Sequence, residues 1–340
     1  MVMLKEQLKK ARFMKNFVQK KLAHLNLQIL YQCNFKCQIC DFWTEDYQKM
    51  PKMSVPQVKT VAEQLKKIGP QLISIGGGEP LMHKDIIEIC DILGKDNLLV
   101  MICNGWFVTE EIAQALWATG IYEISISVDF ADPKKHDQMR GKEGAFERAV
   151  NALKLLQENR KYPYQRINMI STVTNENIGD IEALIQLCRD IGVTFLVSCY
   201  SDGRGEQAEN SPDIDFSSHL LDLKKRYKEF VSVRGYLAKF TEHAQNPNGI
   251  TPCFAGKNLF NIDCQGDVSM CIDMLDDPAG NIFEDDMDVI CDKLIEQQKV
   301  NTCGKCWTSC RGPIETLMYG ENKLINYWDN YQLTKSLPLS

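Results

Sequence analysis

The chain has 340 residues, 44% hydrophobic and 25% charged, with a formal net charge of -6. This length and apolar content support a sizeable core and about two domains, and the acidic balance excludes a dedicated nucleic-acid binder, which needs a basic excess to neutralise phosphate. No apolar run approaches the ~20 residues of a membrane span, and the N-terminus lacks the charged, apolar, small-residue order of a signal peptide, so a cytoplasmic location is expected.

Residues 1–24 predict a basic amphipathic helix in which Leu4, Leu8, Ala11, Met14, Phe17 or Val18 and Leu22 form one stripe against many lysines. Such a helix either packs across a core with its lysines in water or meets an anionic surface, a membrane or a phosphate-bearing substrate; the first is the commoner outcome. Six segments then have strand character: 25–31, 72–76, 98–103, 122–128, 165–173 and 193–199. Helical patterns separate them, several opening near a capping Thr, Ser or Asp and closing on Gly. Repeated strand-helix units imply parallel strands with crossover helices, and six of them predict a partial (β/α)6 barrel of the TIM type, with ligands at the C-terminal strand ends.

Past residue 200 the pattern changes. Residues 201–216 are polar and turn-rich, a charged helix is expected from about 216 to 232, and a cysteine-rich stretch from about 250 to 320 holds short strand signals in NLFNID and GDVSMC. This stretch is poor in apolar residues and reads as a small C-terminal α+β domain stapled by metal. The expected division is 1–24 helix, 25–235 barrel, 236–325 small domain and 326–340 tail.

The 14 cysteines carry the chemistry. In a reducing compartment disulfides do not persist, so clustered cysteines point to metal and scattered ones to core. Cys90, Cys103, Cys188, Cys199 and Cys291 stand alone in apolar or helical contexts, as small core residues do. Cys33, Cys37 and Cys40 crowd into eight residues directly after the first strand. A C-x3-C-x2-C loop can hold three corners of a four-iron four-sulfur cube and leave the fourth iron for a small molecule. A zinc site, which wants four ligands, or a redox motif is the alternative.

These residues resemble the radical S-adenosylmethionine (radical SAM) enzymes, whose CxxxCxxC loop follows the first barrel strand. The resemblance implies a 4Fe-4S cluster on Cys33, Cys37 and Cys40 whose open iron chelates S-adenosylmethionine (SAM). GGGEP (76–80) is similar to the family's GGEP element, so that Gly77, Gly78 and Glu79 would meet the methionyl amino group. CNG (103–105) resembles the TNG element through Asn104. SVD (127–129) and HDQMRG (136–141) resemble elements in which Ser127 and Arg140 would hold the methionyl carboxylate, and Ile39 would pack beside the adenine. The similarity runs over about 25–200.

The C-terminal stretch resembles the SPASM and twitch extensions that bind auxiliary iron-sulfur clusters. Cys253, Cys271, Cys303, Cys306 and Cys310 would share the four ligand places of one auxiliary 4Fe-4S cluster, with Cys264 able to replace one of them and a zinc knuckle as the alternative. In some relatives an Asp just after the opening motif's last cysteine is the base. Here Ile272 holds that position, so Asp273 is a displaced candidate.

The implied function is reductive cleavage of SAM to a 5'-deoxyadenosyl radical, driven by a donor such as flavodoxin or ferredoxin, and hydrogen abstraction from a small-molecule or natural-product substrate, with net oxidation assisted by the auxiliary cluster. Only 32 residues precede Cys33, short for the leader-binding domain of many peptide maturases. Maturation of a peptide or protein side chain is therefore the alternative, beside lipid modification at a membrane surface and a non-catalytic iron-sulfur or zinc binding protein.

Overall fold

The computed structural model describes residues 2–201, 215–246 and 248–334. Strands β1 (His24–Leu30), β2 (Leu72–Gly77), β3 (Leu98–Cys103), β4 (Glu123–Ser127), β5 (Arg166–Val173) and β6 (Thr194–Cys199) are parallel and stand in chain order. Their starts and ends lie within one residue of the sequence expectation. Between them run crossover helices, as parallel pairing requires. Ser54 and Gln57 close a capping box on Val55–Ile68, Thr109 caps Glu110–Ala118, and Gly192 ends Ile181–Ile191 in the left-handed region at φ 83. The result is a partial (β/α)6 barrel followed by a smaller α+β unit.

The C-terminal unit is not simply appended. Its strands β7 (Leu259–Ile262), β8 (Asp267–Ser269) and β9 (Gly280–Asn281) continue the barrel sheet, with β7 parallel to β1. The first barrel strand thus has a neighbour on each side, and its edge is covered. Across this seam the His24 imidazole donates from Nδ1 to the Cys310 carbonyl at 3.0 Å, and Nε2 lies 2.9 Å from the Ser74 hydroxyl. Burial pushes His24 down to about 4, so it serves as a neutral bridge.

β1 alternates Leu25, Leu27 and Ile29 with Asn26 and Gln28, and both sets are buried. The apolar set joins the core under the helices. The polar set belongs to the lumen: Asn26 pairs in register with Ser74 and Gln28 with Gly76, while Ser125 stands beside Ile102 and Asn168. A closed TIM barrel fills its lumen with bulky branched side chains. Small and polar residues here leave it hollow.

Two expectations change, and the N-terminal helix takes the commoner of its two expected placements. The helix α1 (Val2–Val18) lies across the N-terminal end of the barrel, where the Lys9 ammonium donates to the Gly94 carbonyl at 2.9 Å and Asn16 to that of Ile68 at 2.8 Å. Two polar side chains and Phe17 thereby pack on the barrel, while Arg12 and Lys15 are exposed. No helix among the described residues is long and apolar enough to cross a membrane. The helix from 216 ends at Arg226, because Glu229 to Val231 instead run beside β6, with the Phe195 N–H bonded to Glu229 and the Val231 N–H to Phe195. The expected tail begins inside the helix Lys323–Thr334, whose buried Asp329 meets Arg234 at 2.7 Å and whose Asn326 accepts from the Gly235 N–H at 3.1 Å. Buried pairing makes a helix of a polar stretch. The turn-rich stretch 201–216 falls almost wholly outside the described residues, as do 335–340.

Candidate functional site

Beyond β1 the chain folds back over the C-terminal strand ends. Tyr31 packs on Phe42 and Tyr47, with ring centroids 4.9 and 5.1 Å apart, and Phe35 meets Trp106 edge-on at 5.8 Å. The Gln38 N–H bonds to the Met139 carbonyl at 2.9 Å and the Trp43 indole to that of Cys37 at 3.1 Å. These contacts hold the loop without calling on a thiol.

The loop forms one wall of a cavity of about 310 Å³. Cys33, Cys37, Ile39 and Cys40 line it, and so do Gly77, Gly78, Glu79, Asn104, Ser127 and Arg140. Every residue that the sequence nominated for the first cluster and for SAM therefore stands around one space. Burial pushes the Cys33 thiol up to about 12 and raises Cys37 as well, so loading a metal group must displace their protons.

Glu79 is 1% exposed; its carboxylate accepts the Asn104 N–H at 2.7 Å and the Leu81 N–H at 3.0 Å. Burial outweighs these bonds and lifts it to about 7. A carboxylate held this way suits a cationic partner. At Gly77, φ is 110, and a Cβ there would overlap the Leu30 carbonyl; one on Gly78 would overlap those of Tyr31 and Gln32. Only glycine lets this strand end approach the cysteine loop so closely.

Arg140 ends the helix Pro133–Arg140, whose first turn is capped by Asp132. Its guanidinium pairs with the buried Asp129 and reaches Cys37 Sγ at 3.8 Å. Asp129 also accepts the Thr172 N–H at 2.8 Å. Asp129 lies within the SVD motif, yet the sequence reading passed over it; the signal was an acid in register with a neighbouring basic motif. Asn34, which accepts from the Asn104 side chain at 2.9 Å, was likewise missed and has no sequence signal of its own.

A second cavity, of about 280 Å³, is lined by Cys253, Cys271, Cys303, Cys306 and Cys310 together with Asp273 and Arg311. Asp273 does not line the first cavity; Ile272 lines both, as do Asn26 and Cys310. Cys264 lies apart from both cavities, buried against Tyr31 and Phe42. Burial pushes Cys306 up to about 12 and holds Cys271 well above the ordinary thiol range. Among the described residues no three His, Cys, Asp or Glu side chains gather tightly enough to grip a single bare ion. The thiols instead ring two volumes that a multi-atom cluster fits, since its cysteines bind at separate corners.

Residues 27–188 match the family model of the Radical SAM superfamily. That match covers 162 of the 340 residues, and within it the chain is similar to the radical SAM domain. It is 30% identical to an AdoMet-dependent heme synthase of Methanosarcina barkeri over 203 residues, 58% of this chain and 56% of that protein, so the match spans little more than half of that relative. Over 305 residues it is 27% identical to mycofactocin maturase MftC of Mycobacterium tuberculosis, covering 85% of this chain and 77% of the relative. The solved structure of Streptococcus suis SuiB bound to precursor peptide SuiA superposes with a TM-score of 0.64 at 18% identity, covering 84% of this chain and 68% of that one. The shared fold extends past residue 188 into the C-terminal unit.

Proposed function

We propose that this radical SAM enzyme matures a peptide or protein side chain, with the substrate lying between two iron-sulfur clusters. The observation that carries this is that Asn26, Ile272 and Cys310 line both thiol-lined cavities, which makes the two spaces neighbours. The comparisons favour a peptide over the small molecule first expected: SuiB holds a precursor peptide, and the MftC match runs over 305 residues against 203 for the heme synthase.

When bound, a 4Fe-4S cluster and SAM supply one-electron cleavage and hydrogen-atom abstraction. Cys33, Cys37 and Cys40 would hold that cluster. Glu79 would accept the methionyl ammonium, Ser127 and Arg140 its carboxylate, and Asp129 orients Arg140 through their ion pair. Ile39 would pack beside the adenine. Cys253, Cys271, Cys303 and Cys306 line the second cavity alone and are the four auxiliary ligands we assign; Cys310 faces both spaces and is the spare thiol. Asp273 stands against the auxiliary cavity and is the base we assign. An external carrier such as flavodoxin or ferredoxin would supply the electron.

Anaerobic reconstitution should load roughly eight irons per chain, four per cube, and dithionite with SAM should release 5'-deoxyadenosine. With peptides encoded beside its gene, mass spectrometry should find a peptide lighter by two hydrogens. Failure to form 5'-deoxyadenosine would remove the enzyme reading; turnover of small molecules alone would remove the peptide one. Gly78→Ala should keep all the iron and lose SAM cleavage on the order of 100-fold, because the displaced strand end misplaces the methionyl group. Unchanged 5'-deoxyadenosine yield would contradict that role.

A further inference from the structure

Asn26 and Gln28 are 3% and 2% exposed, yet Asn26 Nδ2 and Gln28 Oε1 have no hydrogen-bond partner among the described residues. Unpaired buried side-chain amides are uncommon in native proteins, because each loses its water without replacement. Two of them, two residues apart on one strand, share the lumen face.

Their position gives them a use. Gln28 lines the cavity with the three-cysteine loop, and Asn26 lines that cavity and the auxiliary one. Across from Gln28 in register is Gly76, where even an added Cβ would stand 3.9 Å from Gln28 Oε1, so no side chain crowds Gln28 from that position of β2, while Asn26 faces only the small Ser74. The pair offers a free N–H donor and a free C=O acceptor along one strand, on the lumen face where the linings of the two cavities overlap. A secondary amide is complementary to that pair: its carbonyl takes the donor and its N–H fills the acceptor.

We propose that Asn26 and Gln28 dock a backbone amide of the substrate, fixing the residue to be modified beside the SAM cavity. The inference rests on the peptide reading above and gives it a point of contact. It separates peptides from molecules of similar size that lack an N–H, since a site built to hydrogen-bond such a group rejects the analogue that leaves it unpaired.

The competing explanation is structural. Asn261 on β7 is the register neighbour of Asn26 and leaves its Oδ1 unpaired, so a bond between the two would serve packing alone. The two roles predict opposite stability effects. Replacing an unpaired buried amide by an apolar group of like shape is neutral or stabilising, whereas breaking an internal bond is destabilising.

The test uses the full chain, reconstituted anaerobically, with Asn26→Leu and Gln28→Met as near-isosteric variants. The probes are N-acetylglycine N-methylamide and its counterpart with oxygen in place of both N–H groups, followed by saturation-transfer NMR. We expect wild type to give an amide signal at least fivefold above that of the ester. Each variant should drop to the ester level, melt at or above the wild-type temperature and keep its SAM affinity. A lower melting temperature in either variant would assign the amides to packing. A tenfold loss of SAM affinity would assign them to the cosubstrate, and equal amide and ester signals, or none, would also overturn the proposal. A wild-type chain that distinguishes amide from ester but forms no 5'-deoxyadenosine would sink the functional reading and leave this site standing.

Discussion

A Cys37→Ala chain is expected to bind roughly four irons where wild type binds roughly eight, and to lose 5'-deoxyadenosine formation by on the order of 10³-fold or more. The magnitude follows from the division of labour: the bound group carries the reaction and the protein positions it, and enzymes accelerate their reactions by ~10⁶-fold or more. Cys37 is the most enclosed of the three loop thiols, and Arg140 Nη1 reaches its sulfur at 3.8 Å. Removing it leaves the loop's own supports in place, since Gln38 still bonds to Met139 and Trp43 to the Cys37 carbonyl. The loss is therefore one of ligation rather than folding. Cys90→Ala is the matched control: that thiol is fully buried in the apolar core, so its removal should lower stability and leave iron and activity unchanged. Anaerobic iron analysis with quantified 5'-deoxyadenosine reads both. Retention of the full iron complement by Cys37→Ala would show that the loop does not hold a cluster.

The barrel was legible because its signals are local. Alternating strand and helix patterns punctuated by caps and glycines fix element type and order, and right-handed crossovers leave few topologies. The first site was legible for a related reason. Strand ends carry short motifs, and parallel strands in order bring all their C-terminal ends to one rim, so GGGEP, CNG and SVD had to meet the cysteine loop. What escaped was whatever depends on register between distant segments. β7 shows as a short strand signal in NLFNID but carries nothing that names its partner, yet its pairing with β1 joins the two parts of the molecule. The helix Lys323–Thr334 reads as a polar tail because its buried Asn326 and Asp329 look like surface residues until Gly235 and Arg234 are placed beside them. In β1 the amides of Asn26 and Gln28 were visible as polar positions in an apolar strand. Nothing in the sequence tells a hollow lumen from a solvated face.

Arg311 is the clearest case of a residue whose weight is invisible in the sequence, and Arg311→Leu is expected to destabilise the protein by about 3–5 kcal/mol, the usual cost of stranding one partner of a buried ion pair. Arg311 is 2% exposed and Glu315 5%, with Nε 3.0 Å from Oε1. The rest of the fork donates to the carbonyls of Cys306 and Ile250 at 2.7 Å each and Pro252 at 3.1 Å, while Glu315 accepts the Phe254 N–H at 2.7 Å. One guanidinium thus ties the strand of chain before Cys253 to the loop carrying Cys306, and it lines the auxiliary cavity itself. Lysine cannot replace it, because a single ammonium cannot serve these divergent acceptors from one rigid plane. The deficit should depend on pH with a definite sign. Burial already raises Glu315 above the ordinary carboxylate range, and the Arg311 charge opposes that rise. Without Arg311 the folded-state pKa climbs further, so the variant binds a proton more tightly folded than unfolded. Its stability is then best preserved at low pH, where Glu315 is protonated in both states, and is lost as pH rises through the raised folded value. Chemical denaturation at pH 5.5 and 8 should therefore find the larger deficit at pH 8. The double variant Arg311→Leu, Glu315→Leu should remove that pH dependence and recover part of the loss, as two uncharged residues leave no stranded carboxylate. Iron should fall from roughly eight toward roughly four per chain, the cluster-loop set surviving. A deficit independent of pH, or full iron in the single variant, would mean that this ion pair neither carries the buried charge balance nor shapes the second cavity.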